Sequence, residues 1–108
     1  METGKSFSLD LTEEMKFSST GIYSQVLAKG DNYHYTLMCL ARGTDIDTHT
    51  STKTGVVQVL KGRGVFRLFE KDIVMTPGVF IFMPADAPHA LRADEDLAIL
   101  LCLTGRQG

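Results

Sequence analysis

The side chains able to do chemistry in this chain are few. There are three histidines, His34, His49 and His89, and two cysteines, Cys39 and Cys102. Imidazole can hold a transition metal, accept a hydrogen bond or shuttle a proton near neutral pH. Asp47, His49 and Ser51 alternate, which on a regular strand places them on one face. His34 alternates in the same way with Thr36 and Met38. No GxSxG elbow, P-loop or dinucleotide fingerprint is present. Gly62-Arg63-Gly64 lacks a following helix and reads as a β-turn. The cysteines form no CxxC pair and no disulfide framework, and read as small buried hydrophobes.

The elements that must position these groups are strands. Only Leu11–Phe17 and Ala93–Leu97 approach helical spacing, and both are short; the first predicts one N-terminal turn with Thr12 as its cap. Elsewhere apolar segments are punctuated by Gly, Pro, Asn and Asp: Ile22–Ala28, Tyr33–Ala41, Ile46–Ser51, Gly55–Leu60, Val65–Phe69, Ile73–Met75, Val79–Met83, His89–Arg92 and Leu97–Leu103. Roughly nine or ten short strands at intervals of roughly ten residues predict an all-β sandwich or barrel. Parallel α/β architecture is excluded, because no helices lie between the strands to make crossovers.

Composition narrows the partners. The chain has 108 residues, 44 % of them hydrophobic and 22 % charged, with a net charge of −2. That supports one domain over residues 1–108 with a real core. No basic face suggests nucleic acid, and no apolar run of eighteen or more residues suggests a membrane span. Met1–Phe17 carries no apolar signal core, so the expected compartment is the cytoplasm. The tail Thr104–Gly108 is polar and expected to fray.

Residues 43–93 carry a recognisable pattern. Cupins have a first motif, G-(x)5-H-x-H-(x)3-E-(x)6-G. Here Gly43, His49, Gly55 and Gly62 fall on its first glycine, first histidine, glutamate and last glycine, and Ser51 on its second histidine. Their second motif is G-(x)5-P-x-G-(x)2-H-(x)3-N. Gly78, Pro84 and His89 keep it, while Asp86 and Ala93 depart from it. Arg63–Pro77 separates the two motifs by fifteen residues, as in compact bacterial members. The chain thus resembles a small single-domain cupin of the RmlC-like superfamily, with N-terminal strands over 1–42, the first motif over 43–62 and the second over 78–93. The resemblance implies a double-stranded β-helix, a jelly-roll barrel, and a homodimer.

It also implies a metal site that has lost ligands. Metal-binding cupins hold Zn, Mn, Ni, Cu or Fe with three histidines and a glutamate, and only His49 and His89 of those four remain. Asp47, Cys102 and His34 are candidates to complete the set, Cys102 because the closing Leu101-Cys102-Leu103 resembles a segment whose cysteine points into the barrel. The expected pocket is lined by His49, Ser51, Val57, Val59, His89, Leu91 and Cys102, with either Ile81 or Phe82. Its leading use is to bind a small molecule. The alternative is a metal-dependent enzyme of dioxygenase or isomerase type, using His49 and His89 with an atypical ligand. Met15, Met38, Met75 and Met83 read as gap fillers.

Overall fold

The computed structural model describes residues 5–105. One helical turn, α1 (Leu11–Glu14), precedes nine strands: β1 (Ile22–Gly30), β2 (Tyr33–Leu40), β3 (Asp45–His49), β4 (Thr54–Lys61), β5 (Gly64–Leu68), β6 (Lys71–Met75), β7 (Phe80–Met83), β8 (His89–Ala93) and β9 (Leu97–Thr104). The helical turn is capped by Asp10, whose carboxylate accepts from the Thr12 amide, and not by Thr12 itself. Thr104 is held in β9 and the Gly105 amide bonds Asn32, so the expected fraying does not begin there. The rest of that tail lies outside the described residues.

The strands form two antiparallel sheets, ordered β1-β2-β9-β4-β7 and β3-β8-β5-β6, the two walls of a jelly-roll barrel. Apart from the hairpins β1–β2 and β5–β6, sequence neighbours lie on opposite walls, and the second motif's strand β8 lies between β3 and β5. No described helix is long and apolar enough to cross a membrane.

Period-two patterning fills the space between the walls. On β9, Leu97, Ile99, Leu101 and Leu103 face inward and meet Val57 and Val59 of β4 and Phe66 of β5. Ile81 and Met83 of β7 join them, whereas Phe82 points out, 54 % exposed. The opposite face of the five-stranded sheet has its own cluster of Leu27, Leu37, Cys39 and Ala98. Leu9, Leu11, Met15 and Phe17 of the N-terminal segment pack over it.

The motif glycines sit where backbone geometry demands them. Gly62 has φ +92°, and a Cβ there would run into the backbone carbonyl of Asp96. Asp86 occupies the second-motif glycine position and keeps a left-handed φ of 67°. Aspartate is among the few side chains that tolerate this region.

Candidate functional site

A β-bulge builds the site. Ile46 and His49 are three residues apart, so strict alternation would send them to opposite faces. The register between β3 and β8 shifts between them, so Ile46 pairs with Leu91 and His49 pairs with His89. Both side chains then reach the barrel interior. Asp47 does not: it lines a shallow depression with Asp45, Arg67 and Asp72 on the outer surface of the four-stranded sheet. The expected common face of Asp47, His49 and Ser51 fails because the strand is not regular there. Ser51 lies beyond the end of β3; its hydroxyl accepts from the Lys53 amide and its carbonyl from the Asp86 amide.

The two imidazoles meet with ring centroids 4.2 Å apart and planes inclined by 59°. Each ring is held through Nδ1 by the carbonyl oxygen two residues before it, His49 by Asp47 and His89 by Ala87, both at 2.9 Å. A carbonyl oxygen only accepts, so in the neutral rings Nδ1 carries the proton. That leaves both Nε2 lone pairs free of these bonds. His89 is also parallel to the buried Phe66 ring, at 5.8 Å and 5°.

Below the pair lies a cavity of about 280 Å³. Its remaining walls are Ile46, Val57, Phe66, Leu91, Ile99 and Leu101, with the thioethers Met38 and Met83. His49 is exposed and His89 half-buried, so the imidazoles stand at the rim and the apolar residues behind them. Of the residues expected from sequence, the cavity brings together His49, Val57, His89 and Leu91. Val59 is in the core but not on this cavity.

Cys102 does not point inward. It is paired with Val56 and Tyr35, between the inward Leu101 and Leu103, and so falls on the outer face of the five-stranded sheet. Burial pushes its thiol up, as it does for Cys39. His34 is bonded to Thr36, 3.2 Å away, and lies off the cavity.

Met38 and Met83 were missed by sequence reasoning. The available signal for Met83 was Gly55, at the motif's glutamate position. Gly55 pairs with Met83 across β4 and β7, and a Cβ on Gly55 would meet the Met83 terminal methyl at 2.6 Å and Leu103 at 3.0 Å. The methionine tip fills the space the glutamate side chain would enter.

Fold, motif spacing and cavity agree with one family. The family described as Cupin domain matches residues 36–104. The chain belongs to the cupins. No curated protein matches this cupin in sequence. A solved protein of unknown function from Streptococcus pyogenes is 29 % identical, with a TM-score of 0.86 over 100 % of this chain and 93 % of its own. A cupin 2 conserved barrel domain protein from Leptotrichia buccalis is 28 % identical, with a TM-score of 0.85 over 90 % of this chain and 47 % of its own. A cupin superfamily protein from Desulfitobacterium hafniense has a TM-score of 0.86 at 18 % identity, over 96 % of this chain and 95 % of its own.

The residues present do not fit the divalent ion that many cupins hold. Among the described residues no group of three or more His, Cys, Asp or Glu is placed to hold a metal ion. The motif's carboxylate and middle histidine are Gly55 and Ser51. A doubly charged ion here would face apolar walls with no anionic ligand to offset its desolvation.

Proposed function

We propose that this cupin binds a small, largely apolar molecule in its barrel, through one hydrogen-bond donor directed at His49 and His89. The observation that carries this reading is the composition of the cavity: apolar throughout except for two imidazoles whose Nε2 atoms are acceptors. A cavity with apolar walls and few convergent polar groups is the usual form of a small-molecule site. Burial of the ligand's apolar body supplies affinity, and the imidazole pair supplies orientation.

A pair of matched probes tests this. A small alkylphenol and its methyl ether have similar apolar bodies, but only the phenol donates. Calorimetry or NMR titration is expected to show saturable phenol binding, about ten-fold weaker for the ether and for His89→Ala. Equal binding of phenol and ether, or no binding of either, overturns the reading.

The alternative, a metal-dependent enzyme of dioxygenase or isomerase type, requires a further hard ligand beside the two imidazoles. Asp47 and Cys102 are directed elsewhere.

A further inference from the structure

The barrel carries a third imidazole on the inner face of the wall opposite the first two. β2 leaves the mouth and β3 returns to it, joined at the far end by a turn in which the Thr44 amide bonds the Ala41 carbonyl. His34, near the start of β2, and His49, at the end of β3, therefore stand at the same end of the barrel. Alternation puts His34 and Thr36 on the face of Met38, which lines the cavity. His34 pairs with Leu103 and Thr36 with Leu101, both inward residues. The row from His34 through Leu103 continues across Gly55 to Met83, a cavity residue. Thr36 lies between Met38 and Leu101 of the cavity wall, and His34 one step further toward the rim.

The hydrogen bond between these two fixes what His34 offers. Thr36 is 7 % exposed, and among the described residues its hydroxyl has one partner, Nδ1 of His34 at 3.2 Å. Were Nδ1 the donor, the hydroxyl proton would be buried without an acceptor, which is costly. The hydroxyl therefore donates and Nδ1 accepts, so the proton of the neutral ring is on Nε2. That N–H has no partner among the described residues. His49 and His89 have the opposite tautomer and present bare Nε2 acceptors. One donor on the five-stranded wall thus stands across the mouth from two acceptors on the four-stranded wall, with apolar surface below them.

We propose that His34 is a second recognition group for the ligand of this barrel. The ligand carries a hydroxyl donor at one end, held by His49 and His89, an apolar middle, and a carbonyl acceptor at the other end, held by Nε2–H of His34. Thr36 is a positioning residue that acts through the His34 tautomer. The proposal rests on the cavity reading above and extends it to a molecule with two polar ends of opposite sense.

Two readouts test this on the full chain. Long-range ¹H–¹⁵N correlations are expected to show His34 with protonated Nε2 and bare Nδ1, the reverse of His49 and His89, and Thr36→Val is expected to erase that preference. Calorimetry then compares an alkylphenol with a hydroxyphenyl ketone of equal chain length, and the ketone with its methyl ether. His34→Phe keeps a ring and removes the donor. It is expected to lower the ketone's affinity relative to the alkylphenol by about five-fold and to leave the phenol-over-ether preference in place. His34→Gln, which restores an N–H donor, is expected to recover the ketone. Thermal melts of each variant establish that it folds. A His34 protonated on Nδ1, or a ketone-to-alkylphenol ratio that His34→Phe leaves unchanged, overturns the subsite. A ratio that falls as expected while the ether binds as well as the phenol upholds the subsite and removes only the imidazole-pair reading. No binding of any probe overturns both.

Discussion

Gly55 and Met83 face one another across the β4–β7 ladder, and the methionine's terminal methyl stands 2.6 Å from where a Cβ on the glycine would be. The contact is with the far end of a flexible side chain, which can swing aside. Gly62 is the opposite case: its φ is +92° and the obstacle is backbone. Gly55→Ala is therefore expected to change stability by less than about 1 kcal/mol, because strand glycines are themselves unfavourable. Gly62→Ala is expected to cost about 3 kcal/mol or more, from left-handed strain and a backbone clash together. Urea unfolding of the two variants checks the contrast. Equal costs would mean that Met83 is as immovable as backbone.

Asp86 keeps the left-handed conformation of a motif glycine, and its amide ties the turn to Ser51 at 2.7 Å. Asp86→Gly relieves the conformational penalty and keeps the amide. It is expected to be neutral or stabilising by up to about 1 kcal/mol, while Asp86→Val is expected to be destabilising by about 1–2 kcal/mol. A stability loss in the glycine variant, read from the urea midpoint, would assign the aspartate side chain a role that its backbone does not explain.

The paired Nδ1 bonds give the site a spectroscopic signature. In the neutral rings, His49 and His89 are expected to show protonated Nδ1 and bare Nε2 in long-range ¹H–¹⁵N correlations. Protonation of Nε2 instead would remove the acceptor pair on which the phenol expectation depends.

The two thiols set an alkaline limit on stability. Desolvation is the largest influence on both and raises each above its ordinary value. For Cys39, the backbone hydrogen bond with Lys16 and the charge of Lys61 work the other way but do not reverse the shift. A raised folded value means that the native thiol keeps its proton more tightly than the unfolded one. The contribution is fully present below the unfolded value of about 8.5 and is lost as pH rises through the folded value. Stability is expected to fall above about pH 8.5, with a shallower fall in Cys39→Ala. Thiol labelling at neutral pH is expected to be slow for both, and slower for the fully buried Cys39. An unchanged alkaline slope in the variant would remove Cys39 from the account.

The strands were legible because alternation and turn residues act locally, and the choice of barrel over sandwich came from the resemblance carried by the two motifs. The site was legible only where the chain stays regular. His89 follows Pro84 at the motif's spacing, and its strand carries it inward. His49 reaches the same cavity through a bulge, and no residue type between Ile46 and His49 announces one. The same bulge redirects Asp47, and the end of β3 takes Ser51 out of the alternation. Cys102 was assigned by analogy with a segment, whereas the β9 ladder places Leu101 and Leu103 inward and so turns Cys102 out. Met83 was overlooked because a methionine among core residues carries no signal until Gly55 is seen opposite it.

The outer face of the five-stranded sheet bears on assembly. The N-terminal segment covers the part around Leu37, Cys39 and Ala98. Toward the β7 edge the face continues with the half-buried Val56 and Cys102, then Phe80 and Phe82, 61 % and 54 % exposed. Phe82 pairs with Val56, which pairs with Cys102, so these side chains form a continuous apolar strip across three strands. Contiguous exposed apolar surface of this kind marks an interaction site. We propose that a second copy of the chain covers it, in a two-fold arrangement that presents the same strip on both subunits. Sedimentation equilibrium is expected to give a dimer for the wild type and a monomer for Phe80→Glu/Phe82→Glu. The double variant keeps its melting temperature in this account at protein concentrations where the wild type is already dissociated, since neither ring belongs to the interior cluster. A wild-type monomer, or a dimer that survives both charges, would place the subunit contact elsewhere or remove it.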